Sequence, residues 1–388
     1  MTFSDPVRAL HLMRTYGKHG GEQQLSQLFG ANQRADVEET FAFVFKDPEC
    51  ATLFAQRAPQ LAQFVLWSQP QPTGSAWWEF LRLILRLPLL QWRYFRLVAG
   101  MRPNVCVVHG FQAALVAWPT ACCKGGVSHA YVHRITKKAS QVAWAFRALY
   151  FPFRLVAGNS SAVMRSLAPY TNPRKLIVLD NGIDLERFDR QRREFSVEEV
   201  LPDNDDVVIS VGRLLPYKGQ DLLIDAVASL MPVYPRLRLW IVGDGASKEL
   251  LKRQTRSLGM QAHVIFLGHR LDVPALLGRA RLFANASSWE GMSNAVLEAM
   301  ASGLPSVVAD APGVSECHVH GVTGLVVERT SRNLALGIAR LLGDQKAAHL
   351  MAQAARERVE AHYSIASSRA RYDHLYSSLK ALVTERGN

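Results

Sequence analysis

The sequence predicts an α/β protein built from two domains, each doubly wound around a parallel sheet. The chain has 388 residues, which is more than one ordinary hydrophobic core holds. With 48% hydrophobic residues it can bury large cores. Short apolar segments alternate with amphipathic helical segments, the pattern of a parallel sheet covered on both faces. We expect a first domain at residues 1–185, a second at 186–365, and a terminal helix at 366–388 that crosses back to the first domain.

The net charge of +12 is unevenly distributed along the chain. Between Ala51 and Leu179 there is one acid, Glu79, against fifteen lysines and arginines, and the same region holds six of the eight tryptophans. This composition predicts a partner that is anionic and partly apolar. An anionic membrane surface fits that description. Nucleic acid is the competing anion, but the basic region contains no recognised nucleic-acid-binding motif, so no nucleic-acid partner is expected.

Cysteine usage and the N-terminus predict a cytoplasmic protein. The five cysteines are odd in number and show no C-x-x-C spacing, which favours reduced thiols over a disulfide framework or a zinc site. The N-terminal segment shows no long apolar region followed by a cleavage site. A D-x-D at Asp203–Asp205 lies in a polar linker before a strand, and we interpret it as linker, with no metal site expected.

The chain opens with a predicted strand at Val7–Met13, followed by a glycine-containing turn at Gly17–Glu22 and a helix from about Gln23. Glycines at a strand-to-helix turn let the backbone approach a phosphate closely, so Gly21 is a candidate donor-binding residue. An ordinary turn is the alternative. The next predicted strand is Phe41–Phe45.

The segment Trp77–Val98 is apolar almost throughout and carries Arg82, Arg86, Arg93 and Arg96 at helical spacings, with Pro88 between them. Four arginines exclude a membrane-spanning helix. Two interpretations remain: an interfacial helix with a basic stripe, or a pair of core helices whose outer face is solvated.

Two predicted strands in the first domain end in histidine, Asn104–His109 and Ser128–His133. Ligands of doubly wound sheets bind beyond the carboxyl ends of the strands, so we expect both histidines to face a ligand. A structural role is the alternative for each.

The second domain is predicted to begin with the strand Val207–Leu214, and Arg213 near its end lies five residues before Lys218, across a turn. Two cations at a strand end suit a diphosphate, because the arginine offers a fork of donors and the lysine a point charge. A solvated pair of loop residues is the alternative. Further strands are predicted at Leu237–Gly245, His263–Gly268 and Leu282–Ala286.

The segment Ser287–Asp310 combines a loop, a helix and a buried strand. Glu290 and Glu298 are eight residues apart, roughly 12 Å or less along the chain, and ionised carboxylates accept sugar hydroxyls well. Ser293 or Asn294 is expected to cap the helix, Gly303 to end it, and the backbone amides of Met292, Ser293 and Asn294 to bind an anion.

These segments resemble the retaining glycosyltransferases of family 4, which have the GT-B fold. The resemblance rests on the E-x7-E of Glu290 and Glu298 and on the G-R-L-x3-K-G sequence at 212–219. Weaker matches are the Asn-Gly-hydrophobic-Asp sequence at 181–184, Asn159-Ser160, and a Gly-Gly-x-Glu turn that here lacks the intervening residue before Glu22. At Ala311–Glu316 the family's Gly-Gly is replaced by Pro-Gly.

The resemblance implies two Rossmann-like domains facing a cleft, an acceptor-binding first domain and a second domain that binds a nucleotide sugar. It implies transfer of the sugar to an acceptor hydroxyl with retention of configuration, without metal or cofactor, in the assembly of cell-surface polysaccharide or glycolipid. Arg213 and Lys218 would stabilise the leaving diphosphate, Glu298 would hold the ribose, and Glu290 and His133 would contact the sugar. The backbone at Leu267 and Gly268 would recognise the base.

An acceptor carried on a lipid would place the protein peripherally on the inner face of the cell membrane. Two other functions remain open on the same fold. A sugar-nucleotide epimerase would need further acidic residues in the first domain. The region from Ala51 to Leu179 contains one acidic residue, Glu79, which argues against an epimerase. A catalytically silent subunit would bind a nucleotide sugar without hydrolysing it, so an assay of donor hydrolysis distinguishes it from an enzyme.

Overall fold

The computed structural model describes residues 6–14, 20–30, 35–68, 76–123, 127–134, 143–194 and 206–384. It divides into two compact units, the first formed by residues 1–182 together with 365–388, and the second by residues 183–364. The Asp203–Asp205 sequence and the glycine-turn residues Gly17–His19 lie outside the described residues.

The first unit alternates strands and helices. Its elements up to residue 182 are β1 (Val7–Met13), α1 (Gly20–Gly30), β2 (Val37–Phe43), α2 (Pro48–Arg57), β3 (Ala62–Val65), α3 (Ala76–Met101), β4 (Val105–His109), α4 (Phe111–Cys122), β5 (Ser128–His133), α5 (Ala143–Tyr150), β6 (Leu155–Gly158), α6 (Ser161–Leu167) and β7 (Leu176–Val178).

The second unit follows the same alternation. Its elements are α7 (Leu185–Glu194), β8 (Asp206–Val211), α8 (Gln220–Leu230), β9 (Leu237–Val242), α9 (Lys248–Ser257), β10 (Val264–Gly268), α10 (Val273–Arg279), β11 (Leu282–Asn285), α11 (Asn294–Ala301), β12 (Ser306–Ala309), β13 (Leu325–Val327), α12 (Ser331–Gly343) and α13 (Gln345–His362). The last helix, α14 (Ile365–Thr384), belongs to the first unit.

Both sheets are parallel throughout. Among the described residues, the first sheet has seven strands in the order β3-β2-β1-β4-β5-β6-β7, and the second has six in the order β10-β9-β8-β11-β12-β13. The inner strands β4, β8 and β12 are short, mostly apolar and buried, as expected for parallel strands covered on both faces, whereas the edge strand β3 is largely exposed. The strand order reverses between β1 and β4 in the first sheet and between β8 and β11 in the second, and ligands bind at such switch points.

The predicted fold class is therefore confirmed, with local corrections. The helix α1 begins at Gly20, three residues before the predicted start, so Gly21 and Glu22 lie in its first turn, where an acid is favourable near the positive end of the dipole. Segment 76–101 is one helix that continues through Pro88, so the predicted pair of helices is wrong. Pro88 is exposed, which lets the carbonyl that loses its helical donor face solvent.

The helix α14 is fixed to the first sheet by a buried polar network. Arg369 Nη1 donates to Glu39 Oε2 on β2 at 2.8 Å, and the Tyr376 hydroxyl donates to Glu39 Oε1 at 2.8 Å. The same hydroxyl lies 2.8 Å from His11 Nε2 on β1. A buried charge is stable only when it is paired in this way, so the network specifies where α14 docks.

Candidate active site

The loops that follow β8 and β11 meet at the switch point of the second sheet. These two strands are hydrogen-bonded neighbours, with Leu282 opposite Val208 and Phe283 opposite Ile209. The first loop carries Arg213 and Lys218, and the second carries Glu290. The topology thus brings together two motifs that lie more than 70 residues apart in the sequence.

Lys218 and Glu290 form an ion pair between these loops. Lys218 Nζ lies 2.5 Å from Glu290 Oε1, and both side chains are largely buried, 14% and 13% exposed. Ser287 Oγ donates to the same carboxylate oxygen at 3.0 Å. The sequence predicts separate roles for the lysine and the glutamate, whereas in the structure the two side chains form one ion pair.

Two aromatic rings, one from each of these loops, pack against each other. Tyr217 and Trp289 are stacked, with ring centroids 4.4 Å apart and an interplanar angle of 16°. The Ser288 amide donates to the Tyr217 carbonyl at 2.8 Å. The exposed Arg213 donates from Nη2 to the Tyr217 hydroxyl at 3.2 Å. Sequence reasoning missed this pair, although its signal was present, because each aromatic residue directly precedes a charged candidate residue.

Gly219 sets how closely the two loops approach. Its backbone is left-handed, with φ of +70°, and a Cβ there would lie 2.2 Å from the Ala286 carbonyl oxygen at the end of β11. Only glycine meets both conditions. The helix α8 starts at the next residue, Gln220, whose side-chain amide donates to the Arg213 carbonyl at 3.2 Å.

At the start of α11 the Ser293 amide is not free, contrary to the prediction from the sequence. The Ser293 amide donates to the Gly313 carbonyl at 3.2 Å, and the Glu290 amide donates to the Pro312 carbonyl at 2.8 Å. The loop after β12 therefore crosses the start of α11 and takes up the Ser293 donor. Ser293 is the N-cap by position, yet its side chain makes no capping hydrogen bond.

Gly313 makes that crossing possible. Its φ is +71°, and a Cβ there would lie 2.3 Å from the Glu290 carbonyl oxygen and 2.6 Å from that of Gly291. Both contacts are with backbone, which cannot move aside as a flexible side chain can. The Pro-Gly that replaces the family's Gly-Gly thus keeps the glycine at the position that touches the Glu290 loop.

We expect Gly313→Ala to lower the free energy of unfolding by about 3 kcal/mol or more, from left-handed strain plus overpacking. Gly321→Ala is a matched control, because Gly321 has a φ of +74° and nothing within 4 Å of its Cβ position. That variant should lose only about 1–2 kcal/mol. Denaturant unfolding followed by circular dichroism measures both, and equal losses would show that the Glu290 contact is unimportant.

Glu298 lies on α11 in an apolar setting. Its helix neighbours Val296, Leu297, Ala299 and Met300 belong to the core of the second unit, and Glu298 itself is partly buried. Burial raises the pKa of this carboxyl to about 7. Within the described residues it makes no hydrogen bond or ion pair. A carboxylate without hydrogen-bond donors around it can accept hydrogen bonds from the hydroxyl groups of a ligand.

The raised pKa of Glu298 gives a signed prediction for stability. Below about pH 4.5 the carboxyl is protonated in both states and contributes nothing, whereas between pH 4.5 and 7 the unfolded chain ionises first and the fold is penalised. Because the group is partly exposed, we expect Glu298→Gln to gain on the order of 2 kcal/mol over the parent above pH 7 and nothing below pH 4.5.

Unfolding titrations at several pH values measure this difference. Glu357→Gln, an exposed position on α13, is the control and should show no such trend. A gain for Glu298→Gln that does not change with pH would contradict the assigned cause.

The predicted base-recognition residues Leu267 and Gly268 lie at the end of β10, the edge strand of the second sheet. Gly268 has a φ of +66°, and its carbonyl accepts the Gly243 amide at 2.7 Å. In the strand order, β10 is two positions from β8, a separation of roughly 10 Å at the usual strand spacing.

In the first unit, His109 and His133 end neighbouring strands. His109 Nε2 lies 2.9 Å from His11 Nδ1, and burial keeps its pKa well below the usual range, so it is a neutral core histidine. His133 is also buried, with its Nδ1 2.8 Å from the Tyr131 hydroxyl. The pairing of the neutral His109 with His11 inside the core supports a structural role for His109.

Arg134 follows His133 and is held by two elements of the same unit. It donates to Asn181 Oδ1 at 3.3 Å and to the Tyr372 hydroxyl of α14 at 3.2 Å. A Cβ on Gly21 would lie 3.8 Å from Arg134 Cδ, so the first turn of α1 lies beside this arginine. The remainder of the predicted basic run, 135–138, lies outside the described residues.

No cluster of three or more metal-ligating side chains is found in the parts of the chain that the structure describes.

Parts of the sequence are similar to known glycosyltransferases. Residues 191–358 match the family model described as Glycosyl transferases group 1. A UDP-Gal:alpha-D-GlcNAc-diphosphoundecaprenol alpha-1,3-galactosyltransferase of Escherichia coli is 28% identical over 213 residues, 53% of this chain and 55% of that protein. A GDP-mannose-dependent alpha-(1-6)-phosphatidylinositol monomannoside mannosyltransferase of Mycolicibacterium smegmatis is 30% identical over 270 residues, 66% of this chain and 65% of that protein. The matched part thus spans about half to two thirds of these relatives.

Solved structures show the fold over nearly the whole chain. The Anabaena protein HepE in complex with UDP superposes with a TM-score of 0.78, at 23% identity, over 96% of this chain and 100% of that one. Sucrose-phosphate synthase from Thermosynechococcus elongatus gives a TM-score of 0.79, at 18% identity, over 97% and 100%. The chain therefore has the GT-B fold, and its residues 191–358 match the glycosyl transferases group 1 family.

Proposed function

We propose that this protein is a glycosyltransferase that moves a sugar from a nucleoside-diphosphate donor to an acceptor hydroxyl with retention of configuration. One observation carries the proposal. At the switch point of the second sheet, inside the segment that matches the glycosyl transferases group 1 family, Lys218 and Arg213 lie on a loop fastened to the loop of Glu290.

The cations are assigned to the donor diphosphate. In a front-face reaction the bond between the sugar C1 and the diphosphate oxygen breaks, while the acceptor oxygen bonds to C1 on the same face. The acceptor proton passes to a diphosphate oxygen, so the protein supplies mainly electrostatic stabilisation of the growing negative charge. Arg213 and Lys218 supply it. Because Glu290 already aligns Lys218, the lysine is pre-organised for this task.

The remaining donor contacts follow the strand ends. Glu298 accepts the ribose hydroxyls, which gives its unpartnered carboxylate the donors that it lacks. The backbone of Leu267 and Gly268 contacts the base, since the end of β10 is roughly 10 Å from the end of β8, about the reach of an extended nucleotide. Met292 and Asn294 stay assigned to the donor, whereas the Ser293 amide is already occupied.

Glu290 is assigned to the transferred sugar, and so is His133. Gly21 in the first turn of α1 stays assigned to the donor phosphates. We propose no metal or cofactor. The E. coli and Mycolicibacterium relatives are named for acceptors carried on undecaprenyl diphosphate and on phosphatidylinositol, and we infer a lipid-linked acceptor hydroxyl for this chain.

The test is an assay of sugar transfer with nucleoside-diphosphate sugars and lipid-linked acceptors, and nuclear magnetic resonance of the product anomer. We expect release of nucleoside diphosphate together with a product that keeps the donor's anomeric configuration. Inversion would overturn the retaining mechanism. A sugar altered in its ring stereochemistry but never transferred would identify an epimerase.

A further inference from the structure

Three helices of the first unit, α3, α4 and α5, form a layer on one face of its sheet, and the short helix α6 packs against the same core. Their inward residues join a single core with the strands, including Leu83 and Tyr94 from α3, Val116 from α4, and Leu149 from α5. The helix α14 lies on the other core, with α1 and α2. The outward side of this three-helix layer is therefore a distinct surface of the first unit.

The outward face of α3 is apolar, although its inward face already supplies the core. Leu85 is 73% exposed, Leu89 40%, Trp92 53% and Phe95 50%, at spacings of four, three and three residues. Such spacings place all four side chains on one stripe. A surface helix normally presents charged and polar residues outward, so this stripe marks an interaction surface.

The neighbouring helices extend the apolar surface. Trp118 on α4 is partly exposed and donates from Nε1 to the Ala148 carbonyl, which ties α4 to α5. Trp144 on α5 is 73% exposed, and Phe151 just after α5 is 76% exposed. The predicted tryptophan-rich region thus places aromatic side chains on the outside, while the side chains of Trp77 and Trp78 lie outside the described residues.

The charge on this surface is of one sign. From Phe80 to Leu179 the sequence contains no aspartate or glutamate. Arg82 and Arg96 on α3 are exposed, and the Arg96 guanidinium lies over the Trp92 ring of the stripe, 5.2 Å from its centroid. Arg86 and Arg93 instead lie over the Trp67 ring, at 4.6 and 5.0 Å from its centroid, so the predicted stripe of four arginines is wrong and two of them are packing residues.

We propose that the outward surface of α3, α4 and α5 docks on an anionic lipid bilayer, with the apolar stripe inserted at the headgroup level and Arg82 and Arg96 contacting lipid phosphates. Apolar side chains flanked by arginines are the combination that holds a protein in the interface. In the described residues no helix is long and apolar enough to cross the bilayer. The contact is therefore interfacial.

Two other occupants fit the surface less well. A second copy joined through the same surface would bring its own acid-free, positively charged face against this one, and like charges repel. Nucleic acid would satisfy the arginines but would leave Leu85, Leu89, Trp92 and Phe95 without an apolar partner. Of these three occupants, the bilayer alone supplies both anions and hydrocarbon on one surface.

The test is co-sedimentation of the full chain with vesicles of phosphatidylcholine alone or mixed with phosphatidylglycerol, without donor or acceptor. Its outcome is thus independent of the proposed reaction. We expect binding that rises with anionic lipid. Arg82→Gln with Arg96→Gln should weaken it at least tenfold at low salt, and Leu85→Ser with Leu89→Ser and Trp92→Ser should abolish it.

The matched control replaces three leucines exposed to a similar degree on helices of the second unit, Leu250→Ser, Leu336→Ser and Leu350→Ser, and should leave binding unchanged. Thermal unfolding checks that each variant is folded. If the unmodified protein does not sediment with strongly anionic vesicles at low salt, the proposal is wrong. The proposal would also be overturned if the control variant lost vesicle binding to the same degree. It would be overturned as well if the protein formed dimers that the Leu85, Leu89 and Trp92 substitutions dissociate, or if it bound a labelled DNA duplex tightly and did not bind vesicles.

Discussion

Replacing Lys218 with alanine is expected to lower the turnover number by roughly 30-fold to 1,000-fold, which corresponds to about 2–4 kcal/mol in the barrier. The substitution removes a positive charge from the leaving diphosphate just as its negative charge grows. It also leaves the largely buried Glu290 carboxylate without its 2.5 Å ion-pair partner. Arg213→Ala should cost a similar amount through loss of the forked donor, without disturbing that pair.

Lys248→Ala is the matched control for Lys218. Lys248 also forms an ion pair, with Asp244 at 2.9 Å, but this pair lies at the surface of the second unit. Its loss should leave turnover within about twofold, because exposed pairs contribute little. Activity within threefold of the parent for Lys218→Ala or Arg213→Ala would count against their assignment to the diphosphate.

The second large effect is a division between the two carboxylates. Glu298→Ala should weaken donor binding, seen as a raised dissociation constant and KM, because it removes contacts to the unreacting ribose. Glu290→Ala should mainly lower kcat, since the loss falls on the transferred sugar and on the alignment of Lys218. Steady-state kinetics together with calorimetric donor titration separates the two.

The isosteric variant Glu290→Gln tests whether the charge of Glu290 matters. Glu290→Gln keeps an oxygen for the Ser287 hydroxyl but loses the ion pair, so a kcat as low as that of Glu290→Ala would show that the charge is what matters. Equal changes in kcat and donor affinity for both glutamate positions would refute separate roles.

Most strands were predictable because they are short apolar runs that end abruptly. Val7–Met13 and Ser128–His133 have the same bounds in the prediction and in the structure. Pro88 misled the helix prediction, because local propensity penalises an internal proline while packing on both sides of it holds α3 together. Such tertiary compensation leaves no local signal.

The candidate site was predictable as a set of motifs but not as a set of contacts. Glu290 was identified by its spacing from Glu298, yet its pairing with Lys218 depends on the adjacency of β8 and β11, which only the topology reveals. The Ser293 amide was assigned to an anion because helix starts have free donors, whereas the loop through Gly313 already satisfies it. Long-range loop crossings of this kind cannot be inferred from one helix alone.

Thermal unfolding of the protein with a panel of nucleoside-diphosphate sugars tests the central proposal most directly. At least one donor should raise the unfolding temperature in a saturable way, because a ligand that binds only the folded state stabilises it. The Arg213→Ala and Lys218→Ala double variant should lose this shift, while Lys248→Ala should keep it. No shift with any donor at millimolar concentration, or the same shift in the double variant, would contradict the assignment of this site to a nucleotide sugar.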